Sequence, residues 1–362
     1  MNEKGQLAIN PIKFNKIRFL GKMGSDWISI EYRLSKLLTQ NVLYASYHEP
    51  KTIEEIADLL WLSKNHVENE IDYLEYNGFM DRIDKNKYIS KILIHDLSNE
   101  VVNERKKIFE HYANLVCEKY NLFHNNKLPF TNNIYTPNDD QNFLLYSIIS
   151  ICCAYKFENP CFQQMIKKHL IKRNDGSENI PFTYLDNEQK PYVELNLSLK
   201  ATNGKLFKIF ITNSIYDNRS FDWSQIFQKE FIDLYDFISS PDDKNTTNLN
   251  NLMKKGYLVE HEQNKPLVNL VTSELDLDDI VALLPDFPKD FIELNNSLGD
   301  ELFNISKSCY PKHIHDLCYT YYKNSLFSGE MIINIIDNLI SNGILKPLED
   351  FQKNTVNMIL FL

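Results

Sequence analysis

The chain contains 362 residues, 43% of them hydrophobic and 24% charged, a composition that excludes a collagen-like, coiled-coil or wholly disordered protein. A chain of this length usually divides into two or three domains, and no run of about 18 apolar residues predicts a membrane-spanning helix. The net charge of −10 excludes a surface that is basic throughout. Residues 1–95 hold thirteen basic and thirteen acidic side chains, so the acidic excess lies in residues 96–362 and we expect any nucleic-acid contact to be N-terminal.

The cysteines and the N-terminal sequence indicate a cellular compartment. Six cysteines without a Cys-x-x-Cys spacing do not form the pattern of a disulfide framework, so we expect reduced thiols. Residues 1–30 lack the continuous apolar core of a signal peptide. We therefore expect a cytoplasmic protein that does not enter a membrane.

Three helices are predicted in the N-terminal part of the chain. Apolar residues at spacings of three and four predict the first helix over residues 27–44. Thr52 and Glu55 have the spacing of a capping box and predict the start of a second, short helix. A tight turn at residues 61–62 leads to a third helix over residues 63–77, with a serine at its N-cap and Gly78 just beyond its end.

A β-hairpin is predicted directly after these helices. Strand-like runs at residues 79–83 and 87–90 flank a polar turn at residues 84–86. Three helices followed by a hairpin resemble the winged helix-turn-helix of MarR-like and ArsR-like bacterial transcriptional regulators, over residues 28–94. The resemblance implies that helix 63–77 reads double-stranded DNA while the hairpin, or wing, lies beside it.

The predicted third helix turns its polar residues away from its apolar side. Val67, Ile71 and Leu74 form the buried side. Asparagine amides pair with adenine in the major groove, and cations on the helix and on the wing (79–91) hold phosphates. The predicted DNA-binding residues are Lys64, Asn65, His66, Asn69, Tyr73, Tyr76, Arg82, Lys85, Lys87 and Lys91.

Acidic residues on the same helix favour an alternative. Glu68, Glu70, Asp72 and Glu75 would repel phosphate if they faced it. The alternative is a winged helix that docks on other proteins, for example those of the transcription machinery. A protein partner could also bind through the C-terminal region.

A short pattern occurs three times along the chain: a leucine, then a glycine four residues later, then an apolar run and a second strand-like run. It is centred on Gly78, Gly256 and Gly343 and predicts three units in which a helix ends in glycine before a hairpin. We expect winged-helix-like units at the last position and at the middle one.

The remaining sequence predicts one long helix, two linkers and a central domain. A serine cap and an apolar face predict a helix over residues 98–123, and that face would suit pairing in a homodimer. Polar segments at residues 124–142 and 239–248 are typical of linkers. Between them, alternating apolar residues from Val193 to Ile211 predict a hairpin, which a helix over residues 222–238 would cover.

The predicted fold class is therefore α+β and helix-rich, with an N-terminal winged helix, a central α+β domain containing a hairpin sheet, and a C-terminal winged-helix-like unit. The predicted domains are residues 1–96 with the winged helix, 97–123 with the connecting helix, the 124–142 linker, a central domain over 143–240 and a helical region over 241–362.

Neither a metal site nor a catalytic motif is predicted. Cys309, His313, His315 and Cys318 have a composition that zinc accepts, but they fall on one helical stretch and not on two separated pairs. Local signatures of serine hydrolases, P-loops, dinucleotide sites and zinc peptidases are missing from the sequence. The sequence predicts a non-enzymatic transcriptional regulator without a cofactor.

Overall fold

A computed structural model describes residues 11–362, except 16, 121–122, 124–127, 129–132, 157–161, 186–194, 203–204, 213–232, 239–245, 261–265 and 357. The fold is mixed and helix-rich with small open sheets, in agreement with the predicted α+β class. Within the described residues, no helix is both long and apolar enough to cross a membrane.

The chain forms two compact units, and each unit gathers three separate segments. Unit 1 comprises Met1–Lys107, Asn159–Lys190 and Asn296–Asn324. Unit 2 comprises Ile108–Glu158, Pro191–Asn295 and Ser325–Leu362. Each predicted domain is one continuous segment of the chain, whereas each unit combines three segments that are separated in the sequence.

The N-terminal segment of unit 1 begins with a strand, and four helices lie between this strand and the predicted hairpin. These are β1 (Arg18–Lys22), α1 (Trp27–Leu34), α2 (Leu37–Ala45), α3 (Ile53–Leu60) and α4 (Lys64–Tyr76). The single helix predicted over residues 27–44 is wrong, because Lys36 adopts an extended conformation with ψ 134°. The break frees the carbonyl groups of Leu34 and Ser35, and both accept hydrogen bonds from the buried amide of Gln40.

The predicted starts of the next two helices are confirmed. Thr52 and Glu55 form the capping box of α3, each side chain accepting a hydrogen bond from the other residue's backbone N–H. Trp61 ends this helix in the left-handed conformation, with φ 59°. Ser63 is the N-cap of α4, but its hydroxyl group meets Nδ1 of His66 at 3.1 Å and makes no cap hydrogen bond to the backbone.

Unit 1 contains two sheets. Three strands form the first in the order β2 (Lys51–Thr52), β4 (Lys87–Ser90), β3 (Met80–Asp84), and the hairpin of β3 and β4 confirms the prediction. In the second sheet β8 (Glu178–Tyr184) lies between β1, which is antiparallel to it, and β5 (Leu93–His95), which is parallel. The short β7 (Ile171–Lys172) also pairs with β8.

Four more helices lie wholly or partly in unit 1. They are α5 (Asn99–Lys119), α7 (Phe162–Lys167), α11 (Phe291–Ser306) and α12 (His315–Tyr322). The apolar face predicted on α5 for homodimer pairing is covered in part by this chain itself. Phe109, Tyr112 and Val116 are buried, and the buried thiol of Cys117 lies 3.9 Å from the carbonyl oxygen of Ile335. Val101, Ile108 and Leu115 of the same face are partly exposed, so the homodimer stays a prediction.

The helices of unit 2 are mostly short. They are α6 (Gln141–Ile151), which continues into a π-helical turn (Cys152–Lys156), α8 (233–238), α9 (Thr246–Lys254), α10 (Leu277–Leu283) and α13 (Gly329–Ser341). Residues 233–238 agree with the helix predicted over residues 222–238, and the rest of that prediction lies outside the described residues.

Unit 2 has a five-stranded sheet and a separate hairpin. The sheet order is β6 (Ile134–Tyr135), β13 (Val271–Ser273), β14 (Met358–Phe361), β10 (Lys205–Thr212), β9 (Leu195–Thr202). The predicted central hairpin is confirmed by β9 and β10, although its turn at residues 203–204 lies outside the described residues. The linker predicted over residues 124–142 is wrong in part, because β6 pairs with β13 inside this sheet. The separate hairpin contains β11 (Leu258–Glu260) and β12 (Pro266–Val268).

The three leucine–glycine patterns have different outcomes. Gly78, Gly256 and Gly343 all end helices with positive φ, 73°, 78° and 69° respectively. A hairpin follows the first two, so the hairpin predicted after Gly256 is confirmed. The prediction for the last pattern is wrong, because β14 pairs with β13 and β10 and has no local partner strand.

Candidate nucleic-acid interface

Helix α4 has a buried apolar side and an exposed polar side, as its sequence predicts. Val67, Ile71 and Leu74 are fully buried. Asn65 and Asn69 are exposed, and so is His66 beside the N-cap. The helix therefore presents two asparagine amides and one imidazole to solvent near its N-terminal end.

The two tyrosines predicted on this helix differ in exposure. Tyr76 is 76% exposed, and its hydroxyl group accepts a hydrogen bond from Nδ2 of Asn174 at 3.1 Å. Tyr73 is half-buried, with the guanidinium group of Arg33 located 4.9 Å from the centre of its ring. Burial raises the pKa of Tyr73, so its hydroxyl group stays neutral at physiological pH.

Glu70 does not lie on the exposed side of α4. It is buried, its carboxylate accepts two hydrogen bonds from Arg33, at 3.2 and 2.6 Å, and Thr39 donates a third at 2.5 Å. This role was not predicted from the sequence, because it depends on how α4 packs against Arg33 of α1 and Thr39 of α2. The signal was present, since Glu70 stands three residues after Val67 and four before Leu74 and so shares their face.

Three predicted phosphate-binding cations form ion pairs with acidic residues of unit 1. Lys64 contacts Glu54, Arg82 contacts Glu75 at 3.0 Å, and Lys91 contacts Asp81 at 3.1 Å. The hydrogen bond to Glu54 raises the pKa of Lys64, and the one to Glu75 raises the pKa of Arg82. All three cations are charged, but their charges are partly neutralised by these carboxylates.

Lys85 and Lys87 are the predicted cations at the tip of the wing. Both are exposed, and within the described part of the chain neither forms an ion pair. The charge of Lys87 still reaches the nearby carboxylates, because it contributes to lowering the pKa of Glu49 and Glu55. The hairpin turn therefore carries the cations of this surface that are most available to an anion.

Charge and apolar surface are distributed unevenly around α4. The first turn of the helix contains no acidic residue, whereas Glu68 and Asp72 are exposed on later turns. Large apolar side chains are also exposed nearby in the sequence, with Trp61 41% and Ile83 59% accessible to solvent. The surface thus combines a polar, acid-free helix start, a cationic wing tip and isolated apolar residues.

The cluster of Cys309, His313, His315 and Cys318 is not arranged around a common point. Nε2 of His313 lies 3.0 Å from the carbonyl oxygen of Ser90, and Nε2 of His315 lies 3.0 Å from that of Tyr310. Burial raises the pKa of the Cys318 thiol. Among the described residues, no group of three or more possible ligands has the geometry to hold a metal ion.

No family model, curated protein or solved structure matches this chain.

Proposed function

We propose that the protein is a DNA-binding transcriptional regulator, in which α4 reads base edges and the hairpin of β3 and β4 holds the phosphate backbone. The observation that carries the proposal is the first turn of α4, where Lys64, Asn65 and His66 are exposed and the turn itself contains no acidic residue, Glu54 of α3 being the carboxylate that pairs with Lys64. Residues near the start of a recognition helix are those that reach base edges in the major groove.

The order of the elements supports the same proposal. α3 and α4 are joined by a tight turn, and the hairpin follows α4 directly. This is the order of a winged helix-turn-helix, and it presents a helix and a hairpin from one compact segment. The cations at the wing tip, Lys85 and Lys87, supply the affinity for phosphates that does not depend on sequence.

The ion pairs of Lys64, Arg82 and Lys91 limit how much charge this surface offers. Each cation must leave or share its carboxylate before it contacts a phosphate. Exposed ion pairs of this kind contribute only about 0 to 1 kcal/mol, so a phosphate can replace the carboxylate at low cost. We therefore expect moderate, strongly salt-dependent binding that depends on base contacts for its selectivity.

The test uses the full chain and a duplex enriched by it from a random DNA pool, with affinity measured by fluorescence anisotropy at several salt concentrations. Asn65→Ala should lower affinity for the enriched duplex more than for unrelated DNA, since a base-reading asparagine contributes about 1 to 3 kcal/mol of discrimination. Replacing both Lys85 and Lys87 by alanine should weaken both duplexes and reduce the salt slope by about two. Matched controls are Asn304→Ala and Lys307→Ala, exposed residues of unit 1 outside α4 and the wing hairpin, which should bind like the unchanged chain.

A second candidate function is a winged helix that docks on another protein. The exposed apolar side chains of Trp61, Leu62 and Ile83 favour it, because such residues are typical of protein interfaces and contribute little to phosphate binding. This function is favoured if the Asn65 and lysine variants bind DNA like the unchanged chain while a Trp61→Ala variant loses a partner that the unchanged chain retains.

A further inference from the structure

The helix and hairpin of unit 2 repeat those of unit 1 at a constant sequence offset. Leu252, Gly256 and Tyr257 follow Leu74, Gly78 and Phe79, each by the same number of positions. Their backbone hydrogen bonds correspond one to one: the aromatic N–H donates to the leucine carbonyl oxygen, at 2.8 Å in the first copy and 2.9 Å in the second. The backbone carbonyl oxygen of Phe79 accepts a hydrogen bond from the N–H of Lys91 at 2.9 Å, and that of Tyr257 accepts one from the N–H of Asn269 at 2.8 Å. Lys91 and Asn269 are separated by the same offset.

The strands after the helices keep the same register. Met80 is opposite Ser90 in the first hairpin, and Leu258 is opposite Val268 in the second, again with the offset of the helices. Strand β13 begins at the position that this offset assigns to the start of β5. β5 pairs with β8 in parallel, and β13 pairs with β14 in parallel. β14 and β8 each have an antiparallel strand on their other side, β10 or β1.

The agreement extends into the core and into the following helices. Equivalent residues of the two copies are fully buried, among them Leu74 and Leu252, Phe79 and Tyr257, and Met80 and Leu258. The helices that follow begin at equivalent positions too, because Ser98 caps α5 and Asp276, at the same offset, caps α10. The chain therefore contains two copies of one structural repeat, which share buried positions and backbone pairing.

The exposed face of α9 differs in charge from that of α4. Asn250, Asn251 and Lys254 are exposed on α9, opposite the buried Leu252. Residues 246–259 contain two lysines and no acidic residue, while Asp242 and Asp243, which precede them, stand at the positions that correspond to Lys64 and Asn65. The acidic positions of α4 have uncharged equivalents here, since Glu68, Asp72 and Glu75 correspond to Thr246, Asn250 and Met253.

We infer that α9 is a second DNA-reading helix, so that one chain carries two winged-helix elements, as a dimer of single-element regulators does. This inference rests on the proposed function of α4 for the identity of the ligand, duplex DNA. Lys254 contacts a phosphate, and Asn250, one helical turn before it on the same face, contacts a base edge. The acid-free segment has the charge complementarity that a polyanion requires, in an otherwise acidic part of the molecule.

The test uses the full chain, the enriched duplex and unrelated DNA, with Lys254→Ala, Lys254→Glu and Asn250→Ala as separate variants. Lys254→Ala should weaken binding to both duplexes and lower the salt slope by about one, and Lys254→Glu should weaken binding further. Asn250→Ala should lower affinity for the enriched duplex by about five- to a hundredfold relative to unrelated DNA. Lys289→Ala is the matched control, an exposed lysine of unit 2 outside the repeat's helix and hairpin, and it should bind normally.

The variants separate this inference from the proposed function of α4. If replacing Lys85 and Lys87 weakens binding while all three α9 variants bind normally, α9 does not read DNA and the proposed function stands. If the α9 variants weaken binding and the Asn65 and wing variants do not, α9 is the reader and the role of α4 is wrong. If the unchanged chain binds no duplex above the level seen with a protein of similar charge, both are overturned.

Discussion

Helices α4 and α9 occupy equivalent places in the two units and carry opposite charge. Residues 68–76 contain four acidic residues and no lysine, whereas the equivalent residues 246–254 contain one lysine and no acidic residue. The buried residues that end each helix and start each hairpin are nearly interchangeable, a leucine, a glycine and an aromatic residue. The buried positions therefore determine the backbone of the element, while its exposed face can carry another charge and contact another ligand.

Substitutions at the buried positions that the two elements share should lower stability most. Phe79→Ala and Tyr257→Ala should each destabilise their own unit by about 3 to 5 kcal/mol, because each removes a fully buried ring. Hydrogen exchange followed by mass spectrometry should show faster exchange over residues 53–95 in the first variant and over residues 246–273 in the second.

Tyr76→Ala is the control for this pair, because its ring is exposed and its loss should change stability by no more than about 0.5 kcal/mol. If Tyr257→Ala leaves exchange over residues 246–273 unchanged, the second element is not packed like the first and the comparison fails.

A smaller effect separates the exposed faces. Glu75→Gln removes the ion-pair partner of Arg82 on α4 and one negative charge close to the proposed DNA contact. DNA affinity should rise by about two- to fivefold, and the salt slope should steepen, since Arg82 becomes available to a phosphate. Anisotropy titrations in 0.05 to 0.2 M salt, roughly the range over which such contacts are lost, measure both quantities.

The control for that variant is Glu293→Gln, an exposed acidic residue of unit 2 outside the helix and hairpin of either element. It changes the net charge equally and should leave affinity almost unchanged. Equal gains in both variants would mean that net charge, and not the release of Arg82, controls binding.

The sequence predicted the local elements better than their assembly. The capping box of Thr52 and Glu55 and the glycine stops at Gly78 and Gly256 depend on neighbouring residues, and the structure has each of them. Gly343 ends its helix in the same way, and Ile344 donates to Leu339 as Phe79 does to Leu74. In the described part of the C-terminal segment no hairpin follows it, because a helix stop does not specify which strand pairs with the next apolar run.

The candidate site was predicted by residue type but not by pairing. The exposed positions of Asn65, Asn69 and Lys85 follow from helical and hairpin periodicity. The ion pair of Lys64 and Glu54 joins two helices, so it depends on their packing and cannot be read from spacing within either. The lysine and asparagines of α9 can be read from the sequence. The equivalence of α9 and α4 cannot, because it depends on the strand registers of the two hairpins.

Two equivalent helices of one chain are proposed to contact duplex DNA. Photochemical crosslinking of the full chain to an enriched duplex substituted with 5-iodouracil, followed by mass spectrometry of the peptides, tests this proposal most directly. We predict crosslinked peptides from residues 63–76 and from residues 246–254, both abolished by unlabelled duplex in excess. Crosslinks confined to other exposed parts of the chain, with neither helix labelled, would contradict the account.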